Sequence, residues 1–426
     1  MGSSTDQSLA ARRAGPAPRA EIGAGRLLSL MAPTALALYA NFQGVQLILA
    51  PLQVEAIDSD RKIVNLAAMT FLCALTGVLG LMIGGAASDA TRGRWGRRSP
   101  WLAIMAAASS VLSLALGLQA RLIAFAALYG ALWFTLNFFQ SALLAVVPDR
   151  VPERRRSFAS SVMALAGPLG TLLGVNLAAF APNEWGYAGL AAILAVSTAI
   201  FLVYAREGPH GEGPNSPSIF AGLRPSLAMT FFQGFRSRDF SLAFAIRTAM
   251  FSAQFMIANY LFYILQDHIG VDQLPAHSPQ IAAGALTTIR TLATILAIFI
   301  AGWLANRSKR RKPFVQVYAL GMAIAMLIPA WSPTWLGMTG FALVGGLAMG
   351  AYSVVDLALM SQVLPNKTAV GRDLAILIMA GAFAQFISPV AGGALIKFVG
   401  YDPLFAVAAV LTASVGAMTF SLRGVS

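Results

Sequence analysis

Charge is scarce in this chain, and acid scarcer than base. Of 426 residues only 11% are Asp, Glu, Lys or Arg, against about a quarter in ordinary soluble domains. Cysteine occurs once, as Cys73 inside an apolar run, which excludes a disulfide framework. The three histidines, His210, His268 and His277, stand in polar connecting stretches without metal-ligand spacing. No glycine loop leads into a lysine in the manner of a phosphate cradle, so nothing points to ATP-driven chemistry. Neither metal nor cofactor is expected, and no soluble enzymatic centre is legible.

What fills the chain instead is apolar: 57% of residues are hydrophobic. Stretches near or above the ~20 residues needed to cross a bilayer recur twelve times, at roughly 27–51, 63–86, 101–120, 122–147, 158–181, 187–205, 240–265, 280–304, 314–332, 335–362, 374–396 and 403–421. A membrane barrel would alternate polar and apolar residues. These stretches are apolar throughout, which predicts an all-α polytopic membrane protein.

The net charge of +13 follows topology and not a nucleic-acid surface. With a cytoplasmic N-terminus, the basic residues fall in the tail, in the loops between predicted helices 2–3, 4–5, 6–7, 8–9 and 10–11, and at the C-terminus. The opposite side keeps only Arg61, Lys62, Arg121 and Lys397. This asymmetry predicts both termini in the cytoplasm and the inner lipid leaflet as the partner of the basic loops. The expected location is the plasma (inner) membrane. Residues 1–25, rich in Ala, Arg and Pro, read as a soluble tail and not a cleaved signal.

The chain is also written twice. Gly85 and Asp89 lead into Arg92, Arg94, Gly96, Arg97 and Arg98 and end at Pro100. Gly302 and Asn306 lead into Arg307, Lys309, Arg310, Arg311 and Lys312 and end at Pro313. Gly85 and Gly302 stand as far apart as Asp89 and Asn306, and as Pro148 and Pro365. Two motifs at one constant offset close to half the chain imply a duplicated unit. The reading is a tail over 1–25, a six-helix bundle over 26–205, a cytoplasmic loop over 206–239 and a second bundle over 240–426. The Gly- and Pro-rich start of that loop, Gly208 to Pro214, cannot continue a helix. Within the loop, 220–235 has the pattern of an interfacial amphipathic helix.

In its loop after the second helix the chain resembles the major facilitator superfamily, whose Gly-x-x-x-Asp…Gly-Arg-Arg motif Gly85, Asp89, Gly96, Arg97 and Arg98 match. The longer run Asp89-Ala90-Thr91-Arg92-Gly93-Arg94-Trp95-Gly96-Arg97-Arg98 is similar to the sucrose and glycoside cation-symporter branch, as is Asn137-x-x-Gln140 before Asp149. The resemblance implies twelve transmembrane helices in two pseudo-symmetric bundles, the major facilitator fold, and a functional monomer. It implies a secondary transporter working by alternating access, with a sugar or glycoside as first expectation among small polar solutes, and H+ or Na+ as candidate coupling ion in symport. Two rivals stand beside it: an efflux antiporter for amphipathic compounds, and a non-transporting factor delivering a pigment or lipid. The antiporter reading is disfavoured because Asn137 stands where an Arg is typical, and because no acid lies deep in the first bundle.

By that resemblance Asp89 and the arginines latch the two bundles on the cytoplasmic side, with Gly85 allowing close helix approach. The second copy, with Asn306 in place of the acid and Arg310 behind it, should latch more weakly. Independently of any resemblance, three charged residues fall inside apolar stretches: Arg247, Arg290 and Asp356. Each costs about 2.5–3.5 kcal/mol to insert, so lipid exposure is disfavoured. Arg247 and Asp356 lie about seven residues from the cytoplasmic ends of their helices, roughly 10 Å deep, which predicts an ion pair. Asp356 is the candidate coupling acid, and a static bridge is the other reading.

Polar residues also recur at helical spacing. The fourth helix carries Tyr129, Trp133, Asn137 and Gln140; the first Tyr39, Gln43 and Gln46, with Asn41 off that line; the seventh Gln254, Asn259, Tyr260 and Tyr263. Amides beside aromatic rings suit a hydroxyl-rich ligand, and interhelical hydrogen bonding is the alternative. The substrate-lining set expected here is Tyr39, Asn41, Gln43, Gln46, Trp133, Asn137, Gln140, Gln254, Asn259 and Tyr263.

Overall fold

The computed structural model describes residues 23–93, 95–181, 183–207, 234–307, 312–363 and 370–421. The tail up to 22, Arg94, the loop over 208–233 and Arg310 lie outside the described residues, so of the expected 220–235 helix only Gly234 and Phe235 are described, in the short turn Gly234–Arg236. Among the described residues twelve long helices form the architecture: α1 Ala24–Ile57, α2 Lys62–Ala90, α3 Ser99–Gly117, α4 Leu122–Arg150, α5 Glu153–Phe180, α6 Asn183–Tyr204, α7 Arg238–Ala258, α8 Pro279–Arg307, α9 Lys312–Trp331, α10 Trp335–Gln362, α11 Val370–Val399 and α12 Asp402–Phe420. Eleven are long and apolar enough to cross a bilayer, and α9 has a shorter apolar part, Val315–Trp331. Among the described residues there is no strand.

The helices start where the local sequence lets them. Pro100 and Pro279 occupy first-turn positions of α3 and α8, where a missing N–H is harmless and the fixed φ suits a helix. Ser237 caps α7 by accepting from the Phe240 N–H, and Ser278 accepts from Ile281 ahead of α8. Outward faces are studded with exposed Leu75, Leu79, Phe299, Val317 and Leu320. In water such a surface would aggregate; against lipid tails it is matched, and helices bond most of their backbone internally.

The duplication reappears as packing. In the first half α1 packs on α5, α2 on α4 and α3 on α6; in the second α7 packs on α11, α8 on α10 and α9 on α12. Between the halves, α2 meets α11 and α5 meets α8. With lipid outside, small residues that let backbones approach carry much of the contact. A Cβ at Gly174 of α5 would strike the Ala40 carbonyl of α1, and one at Gly80 of α2 would strike the Phe134 carbonyl of α4. The α2 contact thus runs through Gly77, Gly80 and Gly84, on the buried side. Gly85, next in sequence, is half-buried.

The first helix of each half departs from regular α geometry at matching places. In α1 a π-helical turn runs over Val45–Leu49. After α7 ends at Ala258, Asn259 and Tyr260 interrupt the helix, a turn runs over Leu261–Tyr263, and a π-helical stretch covers Ile264–Gly270. The uninterrupted helix expected over 240–265 is therefore broken. Tyr260 φ −108° and ψ 9° leave the helical region, and its hydroxyl anchors the break by donating to the Pro389 carbonyl of α11 at 2.6 Å.

Candidate functional site

A cavity of about 320 Å³ lies between the halves at the level of these two irregular turns. Gln43, Gln46 and Leu47 come from α1, Pro168 and Thr171 from α5, Gln254 and Asn259 from α7 and its break. Thr287, Arg290, Thr291 and Thr294 come from α8, Ser353 from α10 and Gln385 from α11. Wide turns displace a helix backbone locally and recur at functional sites. Here they bring Gln46 and Asn259 together: Gln46 Nε2 donates to Asn259 Oδ1 at 3.0 Å, across the halves. Asn259 Nδ2 and Gln254 Oε1 are buried without a partner.

Among the described residues Arg290 is the one charged group lining the cavity. Among the described residues it forms no ion pair. Close packing of α10 fixes its backbone, since Gly346 abuts the Arg290 carbonyl and Gly350 the Thr294 carbonyl. The Thr294 hydroxyl donates to the Arg290 and Gly346 carbonyls at 2.8 and 3.1 Å, tying the two helices at that level.

A second cluster closes the face opposite the basic loops. Lys62 at the start of α2 reaches Glu55 of α1 at 2.7 Å and Asp267 of the other half at 2.8 Å. Gln266 donates to Glu55 at 2.6 Å, and the Tyr263 hydroxyl donates to the Pro51 carbonyl at 2.8 Å. The Tyr401 hydroxyl donates to Asp267 at 2.7 Å. Burial, and then that bond to Asp267, hold the Tyr401 phenol well above its ordinary pKa, so it remains a donor at any physiological pH. Further from this face, Asn176 of α5 donates to Thr288 of α8 at 2.8 Å.

On the basic face the motif folds inward upon its own half. Asp89 pairs with Arg97 at 2.9 Å and Arg98 at 2.6 Å. Arg98 also pairs with Asp149 of α4 at 2.9 Å and donates to Ser88. Gly96, with φ +87°, turns the chain just before Arg98 and Ser99, whose amides point at one acceptor. Glu207 after α6 takes the Arg98 N–H at 2.8 Å and the Ser99 N–H at 3.1 Å. Arg150 donates to the carbonyls of Ala205 and Arg206. In this conformation these partners of Asp89, Arg97 and Arg98 all belong to the first half. Arg92 has a partner of its own. In the second copy a Cβ at Gly302 would meet open space, and the Asn306 side chain lies outside what the structure describes.

Arg247 and Asp356 are brought together, Nη2 to Oδ2, at 3.3 Å between α7 and α10. Both are buried, 7% and 6% exposed. Tyr352 donates to Asp356 Oδ1 at 3.2 Å, while Arg247 contacts Met360 and lies over the Phe251 ring. Neither lines the cavity.

Of the expected substrate-lining residues, Gln43, Gln46, Gln254 and Asn259 do line the cavity, and the others do not. Asn41 donates to the Ala37 and Leu190 carbonyls and so serves packing of α1 on α6. Asn137 donates back to the Trp133 carbonyl at 2.8 Å and faces Gly77 of α2. Trp133 is buried edge-on against Phe42 and Tyr129. Gln140 donates to the Tyr39 hydroxyl at 3.2 Å, and Tyr263 belongs to the opposite-face cluster. Within the α4 stripe Asn137 is thus held by its own helix, and Gln140 by a hydroxyl of α1. Missed from sequence were Thr171, Thr287, Thr291, Thr294, Ser353 and Gln385; Thr287, Thr291 and Thr294 repeat at helical spacing with Arg290, the one signal that could have marked that wall.

The geometry has counterparts among known proteins. A family model described as Major Facilitator Superfamily matches residues 31–281 and again 248–425, so both halves fit the same description. The chain belongs to the major facilitator superfamily. Within this superfamily it is similar to the probable nitrate/nitrite transporter NarK2 of Mycobacterium tuberculosis, 25% identical over 342 residues, which are 78% of each chain. Among solved structures it resembles a mutant of the nucleoside transporter NupG, with TM-score 0.73 and 11% identity over 93% of this chain and 99% of that one. It also resembles a bacterial homolog of the human lysosomal transporter Spinster in an inward-facing, unoccupied conformation, with TM-score 0.64, 13% identity, and coverage of 93% and 94%. These likenesses identify a major facilitator transporter fold and leave the cargo open. In such a fold a polar cavity between two halves, sealed on one face by bonds that cross between them, can hold a solute and expose it to one side at a time.

Proposed function

We propose that this major facilitator protein moves a small polar organic solute by alternating access, with the cavity around Gln46, Gln254, Asn259 and Arg290 as its binding site. The observation that carries this reading is the Lys62–Asp267 bond, which joins the halves across one face above a polar cavity. The basic face is taken as cytoplasmic from the charge asymmetry, and the arrangement is then the state closed toward the outside. The inward-facing, unoccupied conformation of the Spinster homolog is in keeping with this. The hydroxyl-rich cargo expected from sequence now rests on the amides of α1 and α7 and the hydroxyls of α8, not on α4. Asp356 is the candidate coupling group: a proton on its carboxyl would release Arg247 and change how α7 and α10 hold each other.

Alternating access is tested without knowing the cargo. Spin labels at Arg61→Cys and His277→Cys, in a Cys73→Ser background, report separation of the halves on the sealed face in liposomes. Two distance populations are expected, the longer one growing when Lys62 is replaced by Ala. One short distance, unmoved by pH or by that replacement, would reject the proposal.

A further inference from the structure

Resting on that reading of the cavity, we infer that the solute is a small organic anion carrying several hydroxyls, of the polyhydroxylated monocarboxylate class. The cavity holds one full charge, on Arg290, and among its lining residues no acid balances it. An uncompensated guanidinium midway along a membrane helix is unfavourable. Arg247, by contrast, has Asp356. A counter-charge brought by the cargo completes Arg290, and a guanidinium offers a carboxylate two parallel donors.

The charge balance separates anions. A phosphate monoester carries about −1.5 to −2 at neutral pH, more than one arginine offsets. A carboxylate carries one. The amides then separate organic from inorganic anions. Gln43, Gln46, Gln254, Asn259 and Gln385 line the walls, and each side-chain oxygen accepts hydrogen bonds only. Gln254 Oε1 is buried with no partner at all, and Asn259 Nδ2 is a donor in the same position. An inorganic oxyanion such as nitrate has no N–H or O–H to give Gln254. A hydroxylated chain both donates and accepts, meeting the amides on α1 and α7 while its carboxylate meets Arg290 on α8. The volume of about 320 Å³ lies at the small end of ligand sites, which suits a molecule of monosaccharide size.

Binding to purified wild-type protein is measured by calorimetry and thermal shift with gluconate, glucose, glucose 6-phosphate and nitrate, and repeated on Arg290→Gln, Arg290→Lys and Gln254→Leu. Gluconate is expected to bind at least tenfold tighter than any other probe. Arg290→Gln should bring it down to the level of glucose. Arg290→Lys should keep part of the preference, and Gln254→Leu should weaken gluconate and glucose together. The unliganded melting temperature of each variant identifies misfolding. Glucose, glucose 6-phosphate or nitrate binding as tightly as gluconate would overturn the inference. So would a gluconate preference that survives Arg290→Gln, or no binding of gluconate to the folded wild type. The spin-label experiment keeps the two claims apart. A protein that opens and closes yet ignores gluconate loses only the substrate class, whereas a rigid one loses alternating access whatever it binds.

Discussion

Lys62 Nζ lies 2.8 Å from Asp267 Oδ1, and this bond joins the first half of the chain to the second. The same ammonium holds Glu55 at 2.7 Å, so one cation sits between two acids drawn from both halves. The Tyr263 ring lies 4.9 Å from it. The seal is polar and partly exposed, the kind of contact that can be broken and remade during a transport cycle.

Replacing Lys62 by Ala leaves Glu55 and Asp267 facing each other without their cation. At this partly exposed site the pair is worth about 1 kcal/mol, which corresponds to a roughly five-fold shift toward the state open on that face. The Arg61/His277 spin-label distances should record it. An unchanged distance distribution would mean that packing between α2 and α11, and not this bond, sets the closed state.

Arg98 is the hub of the basic-face motif, since it holds Asp89, Asp149 and Ser88 at once. Arg98→Ala leaves two carboxylates without their shared cation, whereas Asp89→Ala removes one acid and leaves Arg98 on Asp149. Arg98→Ala should therefore lower the melting temperature more, by a free-energy difference of about 1–3 kcal/mol. The reverse order would deny Arg98 its central role.

The Arg247–Asp356 pair is buried on both sides, so removing one partner is worse than removing both. Arg247→Ala is expected to destabilise by about 3–5 kcal/mol, and Arg247→Ala with Asp356→Asn by distinctly less. Asp356→Asn keeps the shape and the Tyr352 contact but cannot exchange a proton. If the group couples transport, this variant still exchanges solute but loses the pH dependence of net uptake in proteoliposomes. Uptake that keeps its wild-type pH profile assigns the pair to structure alone.

The glycines separate motif from contact. Gly80→Val puts a branched side chain into the Phe134 backbone, and the α2–α4 interface should fail, with loss of folded protein in size-exclusion analysis. Gly302→Ala meets open space and gains helix propensity of about 0.8–1.0 kcal/mol, so its melting temperature should hold or rise. A damaging Gly302→Ala would indicate a contact made in another conformation of the cycle.

Twelve apolar stretches, the basic loops and the twice-written motif were enough to read an all-α membrane fold of duplicated halves, because hydrophobic length and charge asymmetry act locally along the chain. The meeting of Arg247 and Asp356 was legible too, since few buried charges leave few choices of partner. The cavity was only half legible. Gln46 and Asn137 look alike in sequence, each an amide one helical step from aromatic or amide neighbours. Yet one lines the cavity while the other bonds back to the Trp133 carbonyl.

The chain alone thus determined that it spans a membrane and repeats itself, and it singled out the few ionisable groups within the spans. The tertiary structure decided which polar residues face the space between the halves. It placed the Asp89 bonds within the first half, and it put the cross-half seal at Lys62 and Asp267. The physical reason is that a side chain's direction depends on helix rotation and on backbone breaks such as Val45–Leu49 and Asn259–Tyr260. Close contacts such as Gly80 on Phe134 and Gly346 on Arg290 set that rotation, and no periodicity within a single helix encodes it.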